Sequence, residues 1–422
     1  MDQLSGGVMA TDVKIVVISD LHYRKHANNE VRPAAAARGA VGYDPVAAFV
    51  DALRRDDVRA DYVICPGDIT DRASPEGLKL GWEKLNEIKE VVGARHLIAA
   101  TGNHEVCSRD DNPSHDAAGN AEASVDPLGM LQALSDYPSS HWNGVERKWI
   151  YWGKGYEFIS DGSVLFLLVN SSHFHPTMRM NEFERGRISD YALKLLSDEI
   201  DQKIEESGAK IFIALLHHPP VSHESLTHSL GRIEMFNGSR LVEVLENSGF
   251  PWLILHGHKH AGRLIMAQGA GNQPIVFAAG SIGADLVGHQ VGLHTKLQGY
   301  VLSLQVSDEA LPALKGSVTA YAWVDNSWVP ATATNHGIPT GCGFSSPGVN
   351  VNAMAESLRD KVAEQNADFL TLSEMQGVVP ELRYLMPKQV DQFRRAVVRL
   401  GGAFTWPDNQ FFPDDVSFEG GK

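Results

Sequence analysis

Aspartate, asparagine and histidine gather in this chain where apolar runs end. Ile15-Val16-Val17-Ile18 leads through Ser19 into Asp20-Leu21-His22, and Tyr62-Val63-Ile64-Cys65 runs into Pro66-Gly67-Asp68-Ile69-Thr70-Asp71. His96 to Ala100 leads into Thr101-Gly102-Asn103-His104-Glu105, Ile211 to Leu216 into His217-His218-Pro219-Pro220, and Trp252 to Leu255 into His256-Gly257-His258-Lys259-His260. Apolar runs rich in β-branched residues read as buried strands. Beyond a strand, residues i and i+2 point the same way, so Asp20 and His22 can converge on one point. Carboxylate, amide and imidazole donors with no thiolate suit Mn, Fe or Zn rather than a sulfur site.

The order D-x-H, G-D-x-x-D, G-N-H-E, H-H-P-P, G-H-x-H resembles the calcineurin-like metallophosphoesterase superfamily over roughly residues 13 to 300. Within it, the arrangement is similar to the cyclic-nucleotide and glycerophosphodiester phosphodiesterase branch. The resemblance implies an α/β fold, a two-sheet β-sandwich flanked by helices, here with a helical C-terminal extension. It also implies two metal ions (Mn, Fe or Zn): Asp20, His22, Asp68 and His260 would hold one, and Asp68, Asn103, His217 and His258 the other, with Asp68 shared. Such a pair, about 3.5–4 Å apart, clamps a phosphate and supplies a bridging hydroxide that attacks phosphorus.

By motif position His104 would steady the phosphoryl group and protonate the leaving group, with Asp71 orienting it. Arg72 suits phosphate oxygens and equally an exposed ion pair. Asn103 and His218 are further substrate contacts, His218 facing either substrate or structure. His256 reads as structural, His173 and His175 as surface residues near the rim, and His223 and His228 as loop residues within reach of substrate. Gly280 to Gly283 reads as a turn. The activity implied is a phosphodiesterase for a small diester; the alternative is a phosphomonoesterase or protein phosphatase, since Gly-Asp-x-x-Asp-Arg is the form seen there. A nuclease and a non-catalytic scaffold rank lower, the latter because every ligand position is filled.

Positioning these ends requires strands alternating with helices. Asp44-Pro45 opens a helix carrying Val46, Phe49, Val50 and Leu53, which gives a right-handed strand–helix–strand crossover into Asp68. Ser74-Pro75 caps the next, with Leu78, Leu80, Trp82, Leu85, Ile88 and Val92 for packing. Helices are also expected over Ser189 to Ile204 and Gly238 to Ser248. Residues 23–43 read as a long loop and 105–147 as an insertion, both rimming the site. Tyr151 to Ile159 and Val164 to Asn170 read as paired strands, and the strands from Pro274 to Val329 as completing the second sheet. Residues 1–12 read as a disordered leader, 13–330 as the phosphoesterase domain, 331–348 as a linker and 349–422 as a helical extension, a candidate surface for homo-oligomers.

The 422 residues carry a net charge of −15, which argues against a nucleic-acid surface and suits a small phosphate ester. Cys65, Cys107 and Cys342 form neither a CxxC nor a disulfide framework. With neither a secretory leader nor an 18-residue apolar run, the expected setting is cytoplasmic and away from membranes.

Overall fold

The computed structural model describes residues 12–37, 43–106, 126–142, 145–175, 184–222, 234–267, 272–286, 296–305, 313–332, 337–407 and 410–418. Most of the expected leader, Cys107, His223, His228 and parts of both rim segments lie outside them. The chain opens with β1 (Val13–Val17) and a small hairpin, β2 (Tyr23–Lys25) with β3 (Val31–Pro33), where an irregular loop was expected. It continues through α1 (Pro45–Arg55), β4 (Tyr62–Cys65), α2 (Pro75–Val92) and β5 (His96–Ala99). Asp44 caps α1 by accepting from Val46 and Ala47 N–H, and Ser74 caps α2 by accepting from Gly77 N–H.

Next come α3 (Pro127–Ala133), α4 (Val145–Lys154), β6 (Tyr156–Ser160), β7 (Val164–Val169), α5 (Asp190–Ser207), β8 (Ile211–Leu215) and α6 (Gly238–Asn247). The expected strand from Tyr151 begins only at Tyr156, because Tyr151 belongs to a helix. Its ring is fully buried and its hydroxyl meets Thr101 Oγ1 at 2.9 Å, so tertiary packing overrides the β preference of its aromatic neighbours.

Then follow β9 (Trp252–His256), β10 (Arg263–Met266), β11 (Ile275–Ala278), β12 (Gln298–Gln305), β13 (Leu314–Val324), β14 (Ser327–Pro330) and β15 (Gly343–Ser346). Two sheets result, one ordered β14-β13-β12-β1-β4-β5 with β15 on β13, the other β10-β11-β9-β8-β7-β6. Only β11 of the late strands completes the second sheet. β12 instead pairs antiparallel with β1, and β13 and β14 extend that first sheet. Alternation explains the all-apolar strands, which are covered on both faces. Ile15, Val17 and Ile64 face Phe166, Ile213 and Leu253 between the sheets, while Val16, Ile18 and Val63 turn out to Phe49, Leu53 and Leu85 of α1 and α2. On the other side Leu165, Leu167 and Ile254 pack on Leu193, Leu196 and Leu241 of α5 and α6. β1, β4 and β5 run parallel, as do β7, β8, β9 and β11, so the motif-bearing ends of each sheet lie on one side.

The chain ends with α7 (Val351–Gln365), β16 (Leu370–Thr371), α8 (Leu372–Val378), α9 (Pro387–Arg399), β17 (Gly402–Thr405) and β18 (Asp415–Phe418). This unit is not purely helical: β16, β18 and β17 form a three-stranded sheet whose Val416 packs in one core with Leu358, Phe393 and Val397. Residues 331–348, expected as a linker, put Ala331, Ile338, Cys342 and Phe344 into the inter-sheet core, and β15 pairs with β13. Among the described residues, no helix is long and apolar enough to cross a membrane. Phe344 is fully buried against the Gly316 backbone. Phe344→Ala is therefore expected to lower unfolding stability by about 3–5 kcal/mol in denaturant melts; a change below 1 kcal/mol would show that this segment is peripheral.

Candidate metal centre

The strand ends bring the expected residues together. Asp20 follows β1 and Asp68 follows β4, and the two loops are laced by backbone bonds from Asp20 N–H to Gly67 O and from His22 N–H to Asp68 O, both 3.0 Å. His217 leaves β8, and Gly257 N–H reaches back to His217 O at 3.1 Å. The residues from Gly280 to Gly283 form the expected turn, whose Ser281 hydroxyl donates to Asp20 O at 2.7 Å. Gly67 has φ +110°, and a Cβ there would lie 2.8 Å from His217 Nδ1. That position needs glycine on both counts.

Asp20, His22, Asp68 and His260 present ligand atoms within 4.8 Å of one another, as do His217, His218 and His258. Nε2 of His22 and of His260 face each other at 3.0 Å, and Asp20 Oδ1 lies 3.3 Å from the latter. Asp68 Oδ2 stands between the groups, 3.7 Å from His22 Nε2 and 3.2 Å from His217 Nε2. Asn103 Oδ1 lies 3.0 Å from that same His217 nitrogen. Outer contacts engage one nitrogen of each ring: His217 Nδ1 donates to Pro66 O at 2.9 Å and His258 Nε2 to Glu184 O at 2.6 Å, so Nε2 of His217 and Nδ1 of His258 are the nitrogens left for a cation. His218 is fully buried, its Nδ1 2.8 Å from Ser171 Oγ and its Nε2 without a hydrogen-bond partner.

The electrostatics call for added positive charge. Burial opposes protonating His22 and His217, yet Asp20 and Asp71 push the first to about 10 and Asp68 pushes the second to about 9. Burial also works to neutralise Asp68, but His217 and His104 hold it at about 2. Burial holds His258 and His260 neutral, the form that coordinates. Buried carboxylates that recruit protons onto imidazoles, facing imidazole nitrogens and an orphaned nitrogen on His218 together fit two N/O-coordinated cations. Five candidate ligands (Asp20, His22, Asp68, His258 and His260) also take left-handed φ between 49° and 77°. Such backbone strain clusters at functional sites.

Beside the centre, His104 Nδ1 donates to Asp71 Oδ1 at 2.8 Å, which leaves Nε2 as its outward-facing nitrogen. Asp71 is held in turn by Arg24 Nη1, which donates to Oδ2 at 2.8 Å. His104 and His22 draw the Asp71 carboxyl well below its ordinary range, against the burial that would raise it. Arg72 follows directly and is exposed. His256 is buried with Nδ1 against Gly257 O, in keeping with a structural role. Two contributors carried no separate signal in sequence. Arg24 sat in a stretch read as loop. Glu105 closes G-N-H-E but received no role; it is fully buried and accepts from Asp68, Thr70 and Gly102 N–H at 2.9, 3.1 and 2.6 Å.

Residues 13–262 match the family model described as calcineurin-like phosphoesterase. No curated protein sequence gives a significant match. Among solved structures, a purple acid phosphatase from yellow lupin (Lupinus luteus) seeds shares 14% identity with a TM-score of 0.46, covering 76% of this chain and 53% of its own. The chain thus spans about half of that protein. A Thermus thermophilus sulfate thiohydrolase, SoxB, shares 15% identity with a TM-score of 0.32, covering 75% of this chain and 57% of its own. A cold-active protein-tyrosine phosphatase of a psychrophilic Shewanella shares 11% identity with a TM-score of 0.29, covering 69% of this chain and 77% of its own.

Glu105→Gln tests the frame beneath the ligands. An amide nitrogen cannot accept, so at least one buried N–H loses its partner, at a cost of about 1–3 kcal/mol. Denaturant midpoints that do not move would show that Glu105 does not brace this loop.

Proposed function

The chain belongs to the calcineurin-like phosphoesterase family, and from that membership we propose that it is a dinuclear-metal hydrolase acting on a small phosphodiester. The observation that carries this reading is the place of Asp68 Oδ2 between the two ligand clusters, with the His104–Asp71 pair alongside. In this reading Asp20, His22, Asp68 and His260 hold one cation, and Asp68, Asn103, His217 and His258 the other. Cations bound there supply Lewis acidity toward phosphoryl oxygens and make water acidic enough to ionise near neutral pH.

The protein's own residues do the rest. Asp71 accepts the Nδ1–H of His104, so the proton that passes to the departing alkoxide is the Nε2–H of the doubly protonated ring, which leaves Nε2 with a lone pair. Arg24 holds Asp71 from behind, and the Nδ1–H stays on the His104 ring throughout, donated to Asp71. His104 is a third exposed at its side chain, which leaves it open to a substrate oxygen, whereas His217 is not exposed at all. Arg72 grips a non-bridging oxygen. The −15 charge of the chain supports a small diester over a polyanion. The exposed Arg72 in Gly-Asp-x-x-Asp-Arg favours the second reading, a phosphomonoesterase, because a guanidinium matches a dianionic phosphate.

Hydrolysis of bis(p-nitrophenyl) phosphate against p-nitrophenyl phosphate, with Mn²⁺ and with chelator, separates the two. Faster diester turnover that chelator abolishes is the expected result; a monoester preference would favour the second reading. Asp68→Asn is expected to empty the centre, read as metal per chain by elemental analysis, and retained metal with full activity would remove the shared-ligand scheme. His104→Ala is expected to keep its metal while losing about 10²–10⁴-fold in rate on esters with alkoxide leaving groups. Its loss on nitrophenyl esters is expected to be smaller, since nitrophenolate departs without a proton. An equal loss on both classes would remove the proton-donor role.

A further inference from the structure

Gly186 lies in the turn that enters α5, outside all five strand-end motifs, yet it is wedged against one of them. Its φ is +64°, and a Cβ there would lie 2.3 Å from His218 Nδ1 and 2.7 Å from Ser171 O. Neither neighbour can yield cheaply. One is a backbone carbonyl, and the other is a fully buried ring whose Nδ1 sits 2.8 Å from Ser171 Oγ. Ser171 is fully buried as well, and the same Oγ accepts from His218 N–H at 3.1 Å.

The turn is strapped down on both sides. Arg187 N–H donates to Ser171 O at 2.8 Å, and Phe236 N–H donates to Gly186 O at 3.1 Å. Met235 N–H donates to the carbonyl of Pro219, the residue after His218, at 2.8 Å. The Arg185 guanidinium covers the Phe236 ring at 4.0 Å, and its Nε donates to Glu234 O at 2.9 Å.

What is held this way faces one half of the centre. The His218 ring lies 4.9 Å from that of His217 and 4.5 Å from that of His258, and those two rings are 5.0 Å apart. His258 Nε2 donates to Glu184 O at 2.6 Å, two residues before Gly186. The other half rests on different supports. Ser281 Oγ donates to Asp20 O at 2.7 Å, Ser19 Oγ donates to Asp20 Oδ2 at 2.5 Å, and the His22 backbone is laced to the Asp68 loop.

From these contacts we infer that Gly186, Ser171 and the Glu184 carbonyl are positioning groups for the second cation alone. Gly186 and Ser171 fix the His218 ring behind His217 and His258, and the carbonyl fixes the outer nitrogen of His258. Together they set where His217 Nε2 and His258 Nδ1 are presented. A role in touching substrate would require exposure, and neither Ser171 nor His218 has any beyond 1%. Contacts of this outer kind change metal affinity by about 10–100-fold.

This inference rests on the two-cation reading proposed above, so its test counts metal rather than turnover. The full chain, Gly186→Ala and Ser171→Ala are loaded with Mn²⁺ and desalted, and metal per chain is read by elemental analysis. Electron paramagnetic resonance then distinguishes an isolated Mn²⁺ from a coupled pair. The expected result is a pair in the unaltered chain and an isolated ion in Gly186→Ala. Ser171→Ala introduces no clash and carries the test where Gly186→Ala does not fold. In calorimetric titration it is expected to weaken one Mn²⁺ site about 10–100-fold and leave the other unchanged. A chain that binds a pair, and binds it equally well in Ser171→Ala, overturns the positioning role and leaves the two-cation reading standing. So does a folded Gly186→Ala that loses both ions together, the mark of a merely structural glycine. An unaltered chain that binds a single ion overturns both readings.

Discussion

Three buried carboxylates gather past the strand ends, Asp20 and Asp68 in one cluster and Asp71 in a second that shares His22 with it. Burying an unpaired carboxylate is prohibitive, so each of the three is met by imidazole, guanidinium, hydroxyl or N–H groups. His22 and His260 face Asp20, His217 faces Asp68, and His104, His22 and Arg24 face Asp71. Backbone joins in: His258 N–H donates to Asp20 and His104 N–H to Asp68 Oδ1. The arrangement stays compensated only while cations of some kind occupy it, whether protons on imidazoles or metal ions.

That requirement explains the backbone. Left-handed φ at a non-glycine residue costs about 1–3 kcal/mol and persists only where surroundings over-determine it. Thirteen such residues occur among those described, and five of them are the candidate ligands Asp20, His22, Asp68, His258 and His260. Each lies just past a strand, where a reversal of the chain turns the side chain inward. The parallel backbone bonds between the Asp20 and Asp68 loops, and Glu105 beneath the latter, hold those reversals. The sheets thus act as an anchor against which local strain is stored.

This division accounts for what was legible beforehand. Asp20, His22, Asp68, His217, His258 and His260 could be read because an apolar strand ending in a ligand residue is a local pattern, and local patterns survive in sequence. The pairing of β12 with β1 could not, since any strand-like run satisfies the same alternation and register is decided by partners hundreds of residues away. Arg24 was hidden for a similar reason: Tyr23–Lys25 becomes a strand only by pairing with Val31–Pro33. Tyr151 read as strand by propensity, and a buried hydroxyl contact with Thr101 decided otherwise. The segment from Ala331 to Phe344 read as linker from its Gly, Thr, Ser and Pro content, yet four apolar residues spaced along it fill the core.

The remaining feature to explain is why neighbouring residues of one motif behave so differently. Asn103 is 4% exposed and Glu105 is not exposed at all, while the His104 side chain between them is 32% exposed. In the tight turn leaving β5, Asn103 faces His217 and Glu105 the backbone of the Asp68 loop, so His104 is the residue left facing outward. Burial at Asn103 and Glu105 excludes water from the charges that must stay fixed. In the proposed mechanism, exposure at His104 would admit a substrate oxygen, and Asp71, tied to Arg24, holds the imidazole in place for it. The turn thereby sets one exposed imidazole between two buried, fixed side chains within three consecutive residues.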